Sequence, residues 1–191
     1  MKVLIILGHP NQKSFNHSIA ETCKEQIEAN GHAVFFHDLY AEKFDPIHHL
    51  ENTVINDEIK IHCSHLTISD AIIVVHPNWW GQPPAIIKGW IDRILLPGVA
   101  YDFELNDKGD YIPVGLLKAK IGLVLNTSNT PNNFANDILD SIWKNKVFNI
   151  CGVNDVKRIN FGMLKNSDNS QRAEWLLEVK QLVNSLFPTH K

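Results

Sequence analysis

The sequence predicts a doubly wound α/β domain, a five-stranded parallel sheet of order 2-1-3-4-5 with helices on both faces. Three observations carry this. Short apolar, largely β-branched runs at residues 3–7, 71–75 and 121–125 have the composition of strands buried on both faces. Each run is followed by turn formers and then by apolar residues at helical spacing. Five strand patterns alternate with five helical ones across the chain, as a sheet built from βαβ units requires. In such a sheet ligands sit at the carboxyl ends of the strands.

Residues 2–8, KVLIILG, read as the central first strand, broken by His9-Pro10-Asn11. Ser14 is placed to cap the next helix, whose stripe is Phe15, Ile19, Cys23 and Ile27, and Asn30-Gly31 closes it. A strand that runs through a loop into a capped helix turns free backbone N–H groups and the positive helix end toward an anion. Gly-x-Gly-x-x-Gly and Walker patterns are both missing, which excludes a dinucleotide fingerprint and a nucleoside-triphosphate loop. Residues 33–37 form the second strand. Asp38 follows it, but without the glycine fingerprint it is not a ribose-binding acid. Residues 48–65 are polar and weakly helical. Their histidines, His48, His49, His62 and His65, match no zinc spacing and are expected at the solvent surface. Residues 71–75 are the third strand, stopped by His76-Pro77-Asn78 because proline donates no ladder hydrogen bond. Trp79, Trp80, Gly81, Pro83 and Pro84 make a stiff aromatic turn, read either as core aromatics or as a seat for a flat aromatic ligand. Pro84 suits the first turn of the next helix, where Ile86, Ile87, Trp90, Ile91, Ile94 and Leu95 share a stripe. Residues 97–120 read as a loop of little period. Residues 121–125 form the fourth strand, ending in the turn formers Asn126, Ser128, Asn129 and Pro131. Ile138, Ile142, Phe148 and Ile150, with Trp143, then make an apolar helix face ending at Cys151-Gly152. Residues 156–164 are the last strand. Residues 170–187 are a closing helix with Trp175, Leu176, Val179, Leu182, Val183 and Leu186 inward.

Residues 76–95, HPNWWGQPPAIIKGWIDRIL, resemble the flavodoxin-like NAD(P)H:quinone oxidoreductases, the group that includes DT-diaphorase. Their pattern here is a proline, an aromatic-glycine turn and Pro-Ala-(Ile/Leu)-(Ile/Leu)-Lys-Gly-Trp. His9, Ser14, Phe15 and Asn16 match the family's His-x-x-x-x-Ser-Phe-Asn, and the DLYAEKFDPI phrase and the IWKNKVFNICGV run also resemble it. The resemblance implies a flavin, FMN or FAD. His9, Ser14, Phe15 and Asn16 would hold its phosphate. Pro77, Asn78, Trp79, Trp80 and Gly81 would lie along its ring, and Asn126, Thr127, Ser128 and Asn129 would meet its pyrimidine edge. The family usually has Thr-Thr-Gly-Gly at this last loop, so Thr127 matches and the glycine pair is replaced. A tyrosine and a histidine that follow in DT-diaphorase have no counterpart: the tyrosine position falls near Phe134, and no histidine lies between His76 and His190. Thr127, Ser128 and Asn129 are therefore the catalytic candidates, through backbone N–H groups and the Asn129 amide. Tyr101 and Phe103 resemble the family's Phe-Ala-Tyr stretch near the substrate mouth and dimer contact, which implies a homodimer.

At 191 residues one domain, residues 1–191, is expected. A formal net charge of −3 with no basic block gives no sign of a nucleic-acid partner, and none is expected. Cys23, Cys63 and Cys151 have no metal or redox spacing and fit a reducing compartment. The apolar run at residues 3–7 is too short for a signal peptide, and no segment is long enough to span a bilayer, so the expectation is a cytoplasmic protein without membrane insertion. The expected activity is two-electron, ping-pong transfer of a hydride from NAD(P)H to the flavin and on to a quinone or other electron-poor aromatic. The cofactor does the chemistry, so neither a metal nor an acid–base triad is expected. The alternatives are an ancillary regulatory subunit of a potassium efflux system, a flavodoxin-type electron carrier, and the same fold without flavin.

Overall fold

The structure is a computed structural model and describes residues 1–48, 57–132 and 137–189. Its strands are β1 (Lys2–Leu7), β2 (Ala33–Asp38), β3 (Ala71–Pro77), β4 (Tyr101–Leu105), β5 (Tyr111–Gly115), β6 (Ile121–Thr127) and β7 (Asp155–Phe161). Its helices are α1 (Phe15–Ala29), α2 (Asp57–Ile68), α3 (Ala85–Ile94), α4 (Leu139–Ser141) and α5 (Asn169–Leu186). Five strands form one parallel sheet, ordered β2-β1-β3-β6-β7. Counted within the sheet, that is the expected 2-1-3-4-5 order. Alternate residues of each strand face two separate cores. Leu4, Ile6, Ile72, Val74 and Val124 face α2, α3 and the α4 region, whereas Val3, Ile5, Leu7, Ile73, Val75 and Leu125 face α1 and α5. Among the described residues no helix is long and apolar enough to cross a membrane.

Three details differ from the sequence expectation. Residues 97–120 contain an antiparallel hairpin, β4–β5, rather than a bare loop. Its strands are exposed along most of their length, so no apolar alternation marks them. Next, β3 runs on to Pro77. The Gly8 N–H donates to the Val75 carbonyl, so Val75 and Pro77 turn their backbone groups toward β1. Strand β1 ends at Leu7, so the missing proline N–H falls where there is no partner strand to need it. Finally, α4 continues as a π-helix, Ile142–Phe148, and a 3₁₀ turn, Asn149–Cys151. The wider turn shifts the helical phase. Leu139, Trp143, Val147, Phe148 and Cys151 are buried, while Ile138, expected inward, is exposed.

Helix α3 carries Ile86, Ile87, Trp90 and Ile94 into the core. Gly89 sits against the segment that follows β2, and a Cβ at this position would overlap the backbone and ring of Pro46. This close approach accounts for the glycine in Lys88-Gly89-Trp90. Gly89→Ala sets two effects against each other. Helix propensity favours alanine by about 1 kcal/mol, while overlap with backbone that cannot rotate away costs about 1–3 kcal/mol. The net expectation is a lower midpoint of thermal unfolding, measured by circular dichroism. A raised midpoint would show that the Pro46 segment yields freely.

Candidate active site

Three loops converge at the carboxyl ends of β1, β3 and β6. The first is shaped by its own polar groups. The Asn11 N–H donates to His9 Nδ1 (3.0 Å), the Lys13 N–H to Asn11 Oδ1 (2.9 Å), and the Ser14 N–H to the Asn11 carbonyl (2.9 Å). Ser14 caps α1 as expected, its Oγ accepting the His17 N–H at 3.3 Å. The backbone N–H groups of Phe15 and Asn16 have no acceptor among the described residues, so the end of a 15-residue helix opens two donors to the loop. The Phe15 ring turns inward onto Phe161 and Trp175, which makes it an anchor for the loop. Asn16 is buried and reaches β6, its Nδ2 donating to Thr127 Oγ1 at 3.0 Å. Its Oδ1 is buried with no donor, and an orphaned acceptor of this kind costs about 1–3 kcal/mol unless a ligand supplies the hydrogen. Asp38 is occupied: Oδ1 accepts the N–H groups of Tyr40 and Ala41, and Oδ2 faces His17 Nε2 at 3.0 Å.

The second loop is a tight turn closed by two hydrogen bonds of 3.0 Å, between Trp79 N–H and the Gln82 carbonyl and between Gln82 N–H and the Trp79 carbonyl. Trp80 and Gly81 between them have φ of +57° and +75°, the paired left-handed values of a primed turn. Glycine takes this conformation freely, whereas the tryptophan costs about 1–2 kcal/mol. Trp80 is wholly exposed and Trp79 43 % exposed, so neither is a core aromatic. Beneath the turn lies His76, fully buried. The Trp143 Nε1–H donates to His76 Nε2 at 3.0 Å, so the ring carries its hydrogen on Nδ1 and donates to the Pro77 carbonyl at 2.8 Å. Burial pushes its pKa down to about 4, which keeps it neutral. This lock joins the π-helix to the aromatic turn and uses the carbonyl of Pro77.

In the third loop most of the expected ligand groups are already engaged. Asn126 accepts from Arg158 Nε (2.7 Å) and donates to Asn160 Oδ1 (2.6 Å). Ser128 gives its N–H to the Phe161 carbonyl and its hydroxyl to the Thr130 carbonyl. Thr127 Oγ1 holds Asn16, and its carbonyl takes the Asn78 N–H at 2.7 Å. Asn129 is exposed, but its Oδ1 accepts the Lys165 N–H at 3.1 Å. The side chains of Asn126 and Ser128 therefore tie the loop to β7 and to Thr130. Among the described residues of this loop, the backbone N–H and the Nδ2 of Asn129 and the hydroxyl proton of Thr127 are still free to donate. The sequence could not show this, because the partners Arg158, Asn160 and Phe161 come from β7. Phe134 lies outside the described residues.

The second crossover corrects the expected placement of the histidines. His48 is exposed and His49 lies outside the described residues, but His62 is only 2 % exposed and His65 is half-buried. Ligand atoms of His37, Glu42 and His62 lie within 4.8 Å of one another. Their hydrogen bonds do not favour a metal. Trp90 can only donate, and its Nε1–H faces His62 Nδ1 at 3.1 Å, so Nε2 of that ring carries hydrogen and points at Glu42 (3.5 Å). His37 Nδ1 meets the other carboxylate oxygen at 2.8 Å, and its Nε2 meets His65 Nδ1 at 2.9 Å. Glu42 is thus clasped by two ring N–H groups. Burial would raise its pKa, but the hydrogen bonds from His37 and His62 win and hold it at about 2, against about 4.5 when free. A carboxylate depressed in this way adds stability above pH 4.5 that is lost as pH falls toward 2. Glu42→Gln is therefore expected to unfold at a lower temperature than the parent at pH 7, with the gap closing between about pH 4.5 and 2. Thermal melts at stepped pH check this; a gap that persists at pH 2 sinks it.

A flavin fits what is present: two open N–H donors at a helix end, a buried acceptor without a donor, and an exposed flat aromatic turn. The comparisons with known proteins agree with this fold. Residues 1–183 match the family model described as a flavodoxin-like fold. A Haemophilus influenzae protein described as an uncharacterized NAD(P)H oxidoreductase is 34 % identical over 184 residues, 90 % of this chain and 89 % of its own. The mouse ribosyldihydronicotinamide dehydrogenase [quinone] is 26 % identical, with 95 % of this chain and 91 % of that protein covered. Among solved structures, a Streptococcus mutans protein superposes with a TM-score of 0.81 at 28 % identity, covering 97 % of this chain and all of that one. The match spans the sheet, the three loops and most of the closing helix, and the chain belongs to the family with the flavodoxin-like fold.

Proposed function

We propose that the three-loop crevice binds a flavin and that the protein is an NAD(P)H oxidoreductase acting on quinones or similar electron-poor aromatics. One observation carries this reading. The fully exposed, left-handed Trp80 stands over the same strand ends as the orphaned Asn16 Oδ1 and the open α1 N-terminus. Strain and unsatisfied polarity of this kind persist where a ligand completes the site. The names of the Haemophilus and mouse relatives support the same reading.

When bound, the flavin supplies the ring that accepts the hydride and passes on the electron pair. The chain's own groups divide the remaining work. The N–H groups of Phe15 and Asn16 hold the phosphate end. Asn16 Oδ1 accepts a hydrogen from the ligand between the first and third loops. Trp79 and Trp80 cover a ring face and exclude water. The Asn129 N–H and Nδ2 and the Thr127 hydroxyl are donors placed to meet negative charge as it develops. A cavity of about 490 Å³ lies between the C-terminal end of α3, the hairpin and the π-helix, lined by Ile91, Leu96, Tyr101, Phe103, Lys146 and Ile150. Phe103, Leu105, Tyr111 and Ile112 leave the hairpin strongly apolar toward solvent. A second copy packed there by two-fold symmetry would cover this surface and close the site.

The purified protein is expected to carry a flavin or to bind one on titration, read by absorbance and by quenching of flavin fluorescence. Donor and acceptor use one slot in turn, so initial-rate plots of NAD(P)H oxidation at several quinone concentrations are expected to be parallel. Intersecting lines would show two separate sites. Light scattering is expected to give the mass of a dimer, and Leu105→Lys with Tyr111→Lys to shift it to that of a monomer. A monomeric parent that is fully active overturns the two-fold reading.

A further inference from the structure

The flavin reading leaves one hydrogen-bonded pair at the first loop without a role, His17 and Asp38. Both are partly buried, with side chains 13 % and 14 % exposed. The hydrogen positions follow from the partners. Asp38 takes two backbone N–H groups on Oδ1, so it is an acceptor, and the His17 Nε2 at 3.0 Å must carry hydrogen. In the neutral ring Nδ1 then has a lone pair. Ser14 Oγ lies 2.8 Å from it and donates its one hydroxyl proton there, while accepting the His17 N–H at 3.3 Å. The Ser14 proton is thereby turned away from the loop mouth.

A second proton on the ring reverses this. Nδ1–H then donates to Ser14 Oγ, and the hydroxyl is free to swing toward an acceptor beside the open N–H groups of Phe15 and Asn16. A phosphate monoester supplies both that acceptor and the charge that favours the imidazolium, which Asp38 already balances. The titratable groups facing His17 are Asp38, at the end of β2, and His9, whose ring is 6.2 Å away and edge-on. Burial, and to a smaller degree the proximity of His17, lowers the pKa of His9, so His9 does not compete for the proton. The buried, unpartnered Asn16 Oδ1 two residues along the same helix end points independently to a ligand seated here.

We propose that His17, clamped by Asp38, is a proton-linked positioning residue that turns the Ser14 hydroxyl onto a phosphate monoester at the α1 N-terminus. The proposal rests on the flavin reading and sharpens it. The ligand it fits is a flavin carrying a terminal, dianionic phosphate, and each such molecule bound takes one proton from solvent onto His17.

Calorimetric titration at pH 7.5, where a phosphate monoester is dianionic, in two buffers of different ionisation heat counts the protons. FMN is expected to bind the parent protein with net uptake approaching one proton, and riboflavin, which lacks the phosphate, with none. His17→Gln is expected to abolish the uptake and weaken FMN about tenfold or more, the scale of one charged hydrogen bond, while riboflavin affinity stays the same and so reports an intact fold. FMN binding to the parent without proton uptake overturns this inference and leaves the flavin reading standing. So does equal affinity for FMN and riboflavin. Failure of both flavins to bind overturns the two together.

Discussion

The architecture turns on the burial of β3. Every residue from Ala71 to Pro77 is enclosed, with strands on both sides and a helical layer on each face. A strand in that position has no water to satisfy its polar groups, so each must find a partner inside the protein. Its five aliphatic residues, Ala71 to Val75, meet the condition by ladder pairing alone. The remaining polar side chain, His76, meets it through Trp143 on one nitrogen and the Pro77 carbonyl on the other. The requirement reaches outward in both directions. It places Trp143 in a π-turn of the α4 region, and it fixes the carbonyl from which the aromatic turn departs.

The same logic explains the third loop. Asn126, Ser128, Asn132, Asn160 and Arg158 form a connected polar network beneath it, with Arg158 anchored to Asp137. Ser128 and Asn129 stand where the family usually has its glycine pair. The loop gains rigidity from hydrogen bonds that a glycine pair could not make, and it gives up most of its free donors in doing so.

The sheet order and the first two loops were legible in the sequence because their signals are local. Apolar runs bounded by turn formers, a serine cap and the Trp-Trp-Gly turn each sit within about ten residues. What was missed depends on distant partners. His62 reads as a surface histidine until β2 brings His37 and Glu42 beside it, and α3 brings Trp90. The internal partners of Ser128 and Asn126 become visible only when β7 supplies Phe161, Asn160 and Arg158. The hairpin was missed for the opposite reason. It touches the core only at its base, through Tyr101 and Gly115, so no burial pattern is written along residues 102–113.

Trp80 has a consequence for how the stability of this protein is measured. Its ring stands in water on a backbone conformation that costs about 1–2 kcal/mol. Covering a side chain of 150–250 Å² is worth about 4–6 kcal/mol at 25 cal/mol per Å². That is comparable to the whole folding free energy of a marginal domain. A ligand that covers the ring recovers much of this and binds only the native state, so it shifts the unfolding equilibrium by mass action. With such a ligand present, a melting temperature would describe a mixture of empty and filled molecules and would change with ligand concentration even when the polypeptide does not.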